Sequence, residues 1–143
     1  IPLAAATAAA LAEHHDRNVP FAFNRKEVKD HGEGGQIVGA EIAGRVVIID
    51  DVVTAGTSVG EAIEIIEAAG AQPAALIIAL DREEKISENG RSAIQDVRDR
   101  FGLTVHIIAR FSKLIEYLRR TPNLESQVGA LEAYRDRYGI VLE

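Results

Sequence analysis

Two adjacent carboxylates, Asp50 and Asp51, follow the apolar run Val46-Val47-Ile48-Ile49, and after Val52-Val53 comes a small, hydroxyl-rich stretch, Thr54-Ala55-Gly56-Thr57-Ser58. The hydroxyls of Thr54, Thr57 and Ser58 are donors, and Gly56 removes a side chain that would block an approaching anion. A phosphate fits such a loop. Two carboxylates beside it are poor company for a bare phosphate, so they require a second kind of partner: sugar hydroxyls, which donate to carboxylates, or a divalent cation. The pattern reads as a ribose-phosphate cradle, although a plain structural loop of acids and small residues at a strand end has the same composition.

The flanking residues supply the elements that would hold this loop. Four consecutive β-branched residues, 46–49, suit a strand buried on both faces of a parallel sheet. From Glu61, the apolar residues Ala62, Ile63, Ile65, Ile66 and Ala69 fall at helical spacing until Gly70, a plausible stop. Ser58 and Glu61 fit a capping box, which would point the loop's N–H groups into a helix N-terminus, a ready anion site. Upstream, residues 24–39 lack apolar periodicity and carry Arg25, Lys26, Lys29 and His31, followed by Gly32, Gly34 and Gly35. They read as a long mobile loop, and composition alone favours a solvated charged segment over a functional one.

The run 47–58 closely resembles the 5-phosphoribosyl 1-pyrophosphate (PRPP) signature of type I phosphoribosyltransferases. The segment 23–34, Phe-Asn-Arg-Lys-Glu-Val-Lys-Asp-His-Gly-Glu-Gly, is similar to the catalytic loop of the orotate-using branch of that family, and Leu80-Asp81-Arg82 matches the same branch. The resemblance implies an α/β fold with a mostly parallel central sheet flanked by helices. It covers residues 1–143 as one core domain, and the family carries a further N-terminal, base-covering region before Ile1-Pro2. The implied activity is transfer of phosphoribosyl from PRPP to orotate, giving orotidine 5′-monophosphate and pyrophosphate in pyrimidine biosynthesis, with Mg2+ bound mainly through PRPP.

The resemblance also assigns roles. Asp50 and Asp51 bind ribose hydroxyls, with a direct metal contact left open. Val52, Val53, Thr54, Ala55, Gly56, Thr57 and Ser58 hold the 5′-phosphate, Thr54 also touches orotate, and Arg82 binds orotate. Arg25 contacts PRPP within its own subunit, while Lys26, Lys29 and His31 act around the pyrophosphate, partly across a homodimer interface spanned by loop 25–35. Such a lid would exclude water and neutralise charge as it leaves. A purine-using relative or a non-catalytic PRPP sensor would share the cradle; the basic loop with Leu80-Asp81-Arg82 counts against the first, and the acidic balance with the intact basic loop against the second. A salt bridge from Arg82 to Asp81, Glu83 or Glu84 is the alternative use of that side chain.

Length and composition agree with one enzyme domain, since 143 residues can bury a real core. A net charge of -6 argues against general binding to nucleic acid or anionic membranes. With no cysteine, disulfide, thiolate and zinc-thiolate chemistry is excluded. The apolar run 74–80 is too short to span a bilayer, and the alanine-rich start lacks the basic flank of a signal peptide, so a soluble, cytoplasmic protein is expected.

The remaining chain reads as a helix over 2–12 with His14 and His15 near its end, a short strand over 19–23, and extended segments at 36–39 and 40–43. A buried strand follows over 74–80, bounded by Pro73. Next come a helix within 87–101 that turns Ile94, Val97 and Phe101 inward and stops at Gly102, a strand over 104–109, and helices over 112–120 and 124–138. Tyr117, Tyr134 and Tyr138 are expected to pack those last two helices, and His106 is assigned no role.

Overall fold

The computed structural model describes residues 2–25, 37–86 and 90–140. Alanine and leucine, strong helix formers, carry α1 over Pro2–His15, with proline in the first turn where its missing N–H is not needed. Two short strands, β1 (Ala22–Asn24) and β2 (Ile37–Gly39), pair antiparallel with Phe23 opposite Val38. Pro20 stays outside β1, so the strand starts later than the expected 19–23, and residues 40–43 form no strand.

A separate parallel sheet is ordered β3 (Arg45–Asp50), β4 (Gln72–Asp81), β5 (Thr104–Arg110). Helix α2 (Thr57–Ala68) connects β3 to β4 and packs on both, and α3 (Ala93–Phe101) leads into β5 and packs on it. Parallel neighbours need such crossovers, which is why strands and helices alternate here. Leu76 and Ile78 of β4 are fully buried in one core with Val59 and Ile63 of α2, Ile94 and Val97 of α3, and Val105 of β5.

The expectation that β3 is buried on both faces is corrected. Among the described strands β3 is an edge, and Val47 is 47% exposed. In register, Ile48, Leu76 and Val105 line the sealed face, while Ile49, Ile77 and His106 lie on the other, and Ile108 of β5 is 77% exposed. A β-branched run favours a strand whatever covers its second face, so propensity does not report two-sided burial. Pro73 lies inside β4 rather than bounding it. It pairs with Val46 where the β3–β4 register shifts, an irregularity that tolerates a missing donor.

Gly70 does end α2. At φ +74° it donates its N–H to the Glu67 carbonyl at 2.9 Å, and the Ala71 N–H reaches the Ile66 carbonyl at 3.0 Å, the paired bonds of a Schellman stop. Helix α3 begins at Ala93, capped reciprocally by Ser92 and Gln95, and Gly102 closes it at φ +64°. Residues 87–89 lie outside the described residues. Helices α4 (Phe111–Arg120) and α5 (Glu125–Tyr138) close a second, smaller cluster of Phe111, Ile115 and Val128. Tyr134 meets Phe111 edge-on at 5.8 Å and Tyr138 at 4.8 Å. Tyr117, also expected to pack, is 64% exposed. Among the described residues no helix is long and apolar enough to cross a membrane.

Candidate active site

Because β3 and β4 are parallel, their carboxyl ends open on the same edge of the sheet, where open α/β folds place ligands. Asp50 is in register with Ile78, and the Leu80 N–H donates to the Asp51 carbonyl at 2.9 Å. Asp81 and Arg82 therefore emerge beside Asp50 and Asp51.

The acids are aimed by their own backbone. Asp50, half-buried, accepts the Asp51 N–H at 3.0 Å through Oδ1 and the Ser58 hydroxyl at 3.3 Å through Oδ2. Asp51, exposed, accepts the Val52 N–H at 2.8 Å through Oδ1. An ionised carboxylate offers about four acceptor positions, so both keep capacity for donors arriving from solution. Val53 is buried in the core and anchors the loop, Val52 is half-buried, and Thr54, Ala55, Thr57 and Ser58 are exposed.

The expected capping box at Ser58 and Glu61 is absent. Gly56 is the N-cap, and no side chain among the described residues caps α2. Ser58 is already the second residue of the helix, and its hydroxyl turns to Asp50 instead. The first turn thus keeps orphan N–H groups at the positive end of the helix dipole, facing the loop. Gly56 also has a reason the sequence did not show. Its φ is +70°, and a Cβ there would lie 3.1 Å from Val97 Cγ2, so close packing on α3 selects glycine as well as access for an anion.

Arg82 is in a salt bridge: Nη2 lies 2.9 Å from Glu84 Oε2. Of the three neighbouring acids, Glu84 is the partner. The Arg82 Nε is buried and has no hydrogen-bond partner among the described residues. Around it, Asp81 Oδ1 accepts the Glu83 N–H at 2.9 Å, and Arg110 Nη1 stands 3.7 Å from Asp81 Oδ2 and 3.9 Å from Glu83 Oε1. Glu83, only 2% exposed and at φ +55°, accepts the Ser112 N–H at 2.8 Å and the Ser112 hydroxyl at 3.0 Å, capping α4 from a distance. The Tyr134 hydroxyl donates to Glu84 Oε1 at 2.5 Å, and that hydrogen bond holds the phenol's pKa above its ordinary value. Glu83–Ser112 and Glu84–Tyr134 are 29 and 50 residues apart in sequence, so no local spacing announces them. The one hint is a charged tetrad, 81–84, directly after an apolar strand.

Arg25 is half-buried just after β1. Lys26, Lys29 and His31, with the rest of the basic segment 26–36, lie outside the described residues. No group of three or more acids or histidines suited to a metal occurs among the described residues. Asp50 and Asp51 together offer two carboxylates, the number that a Mg2+ keeping several of its waters takes from protein.

Residues 1–97 match the family model of the phosphoribosyl transferase domain. The chain belongs to the phosphoribosyl transferase domain family. This phosphoribosyltransferase domain is 55% identical, over 98% of its length, to an orotate phosphoribosyltransferase of Thioalkalivibrio sulfidiphilus, of which it covers 65%. It is 57% identical, over 97% of its length, to the orotate phosphoribosyltransferase of Methylococcus capsulatus, of which it covers 64%. Among solved structures it resembles the orotate phosphoribosyltransferase of Francisella tularensis, with a TM-score of 0.75 and 32% identity over 96% of this chain and 62% of that one. The domain therefore spans a little under two thirds of the length of these curated relatives. The family-model match contains Asp50, Asp51, the loop and Arg82, and ends before α4 and α5, which hold the segment after Arg82.

Proposed function

We propose that this phosphoribosyltransferase domain is the core of an orotate phosphoribosyltransferase, joining the phosphoribosyl group of PRPP to N1 of orotate and releasing pyrophosphate. The observation that carries this reading is the shared strand edge: the Asp51 carbonyl bonded to the Leu80 N–H sets the acid pair and loop beside Arg82. High identity to curated orotate phosphoribosyltransferases supports the same base.

In this reading Asp50 and Asp51 accept from the ribose hydroxyls, and residues 52–58 hold the 5′-phosphate through backbone N–H groups and the hydroxyls of Thr54, Thr57 and Ser58. Thr54 also touches the base. Arg82 pairs with the orotate carboxylate, for which its planar fork is suited. Arg25 contacts PRPP in its own subunit, while Lys26, Lys29 and His31 surround the pyrophosphate, partly from the partner subunit of a homodimer. Mg2+ carried by PRPP supplies charge neutralisation at the pyrophosphate. No covalent nucleophile is needed: charge at the C1′ centre becomes oxocarbenium-like as the bond breaks, and the chain holds both reactants while stabilising the departing group. A cytoplasmic enzyme of pyrimidine nucleotide synthesis fits this chemistry.

The test is the full-length protein supplied with PRPP, Mg2+ and, in turn, orotate, uracil and purine bases. Orotate-dependent pyrophosphate release with formation of orotidine 5′-monophosphate is expected. Turnover of a purine base in its place would overturn the base assignment, and PRPP binding without turnover of any base would point to a PRPP sensor.

A further inference from the structure

We infer that Glu84 and Tyr134 are positioning residues for Arg82, setting which donors of its guanidinium are presented to a carboxylate on the incoming base; this rests on the base site proposed above. A guanidinium carries five N–H donors in a fixed plane, so where one nitrogen is tied decides where the others point. Glu84 Oε2 ties Nη2 at 2.9 Å. The neighbouring Nε is left buried without a partner among the described residues. A buried donor lacking an acceptor is unfavourable, so the arrangement is completed by a ligand that brings an acceptor oxygen to Nε.

Glu84 is itself held. Its other oxygen, Oε1, accepts the Tyr134 hydroxyl at 2.5 Å, which takes rotation of the carboxylate out of play. The phenol ring is fixed against Phe111 and Tyr138 at centroid distances of 5.8 and 4.8 Å. The backbone on either side is fastened to the end of α5. The Lys85 N–H donates to the Tyr138 carbonyl at 2.8 Å, and the Ile140 N–H donates to the Glu83 carbonyl at 2.8 Å. A connected path of side chains thus runs from α5 through Tyr134 and Glu84 to Arg82. None of these contacts involves Asp50, Asp51 or the phosphate loop, so the path bears on the base and not on PRPP.

Tyr134→Phe in the full-length protein removes one hydroxyl and keeps the ring packing. The Michaelis constant for orotate should rise about three- to tenfold, the size of one hydrogen bond, with kcat and the constant for PRPP nearly unchanged. Glu84→Asp, which withdraws the carboxylate by one methylene, should act in the same direction. The decisive measurement is a double-mutant cycle: placed on Arg82→Ala, the Tyr134→Phe change should have no further effect on orotate, because the residue it acts through is gone. An undiminished effect in that background, or an unchanged orotate constant in Tyr134→Phe, would overturn the inference while leaving the base site intact, provided Arg82→Ala alone weakens orotate use. If Arg82→Ala alone has normal orotate kinetics, the base-site reading fails and the positioning role fails with it.

Discussion

The Ser58 hydroxyl donates to Asp50 Oδ2 at 3.3 Å, tying the second residue of α2 to the last residue of β3 across the loop between them. At that length and exposure the bond contributes about 1 kcal/mol or less to stability. Its consequence is orientation, since it leaves the first turn of α2 without a side-chain cap while turning one carboxylate oxygen toward the loop.

Replacing both acids, Asp50→Asn with Asp51→Asn, should leave the unfolding midpoint close to that of the parent, because both carboxylates sit at the rim. PRPP use should fall about a hundredfold or more if two charge-assisted hydrogen bonds to ribose are lost. Calorimetric PRPP binding alongside steady-state kinetics in the full-length protein checks this; normal PRPP turnover would remove the ribose role.

Two glycines with nearly equal φ, Gly56 at +70° and Gly70 at +74°, differ in surroundings. A Cβ at Gly56 lies 3.1 Å from Val97 Cγ2, whereas one at Gly70 meets nothing within 4 Å. Gly70→Ala should cost about 1–2 kcal/mol from backbone strain alone, and Gly56→Ala more, as Val97 must give way. Urea unfolding of the two variants side by side tests the difference.

Glu83→Ala should destabilise the protein by about 1–3 kcal/mol, because it leaves the half-buried Ser112 N–H and hydroxyl without their acceptor. Glu83→Gln, which keeps one acceptor oxygen in place, should cost less. Equal losses in denaturant titrations of the two variants would show that this carboxylate does not cap α4.

The Tyr134 phenol should titrate above the ordinary tyrosine range. Its hydrogen bond to Glu84 comes first among the causes, followed by desolvation and the Glu84 charge, with Arg82 opposing and Tyr138 adding slightly. The folded pKa is raised, so this contribution to stability is fully present below the unfolded value of about 10 and is lost as pH rises through the folded one. Ultraviolet difference titration of the parent and Tyr134→Phe would identify the transition; one at or below the unfolded value would be inconsistent with the bond.

The proposed cross-subunit use of the basic segment has its own signature. A variant carrying Asp50→Asn and Asp51→Asn, mixed with one carrying Lys26→Ala and Lys29→Ala, should regain activity as dimers reassort, each active site taking its cradle from one subunit and its lid from the other. Subunit exchange demonstrated without any recovery would confine the lid to its own subunit.

What residues 46–70 become, and that a helix within 87–101 stops at Gly102, was legible locally. A β-branched run, an acid pair, small residues and then helical spacing specify strand, loop and helix within reach of neighbouring bonds, and Gly70 and Gly102 end their helices because each supplies a positive φ at a stop. The strand-end loop was legible for the same reason, since Asp50 through Ser58 are contiguous. Tertiary structure alone decided the rest. Whether β3 lies inside the sheet or at its edge depends on which strands pair with it, and Val47 carries no mark of that. Ser58 had two acceptable uses, and the position of Asp50 at the strand end selected one. Arg82 had three neighbouring acids, and it pairs with Glu84, the one that Tyr134 of α5 holds. Contacts spanning 29 and 50 residues are set by how α4 and α5 pack against the rest of the fold, and residue spacing in one dimension contains no term for that.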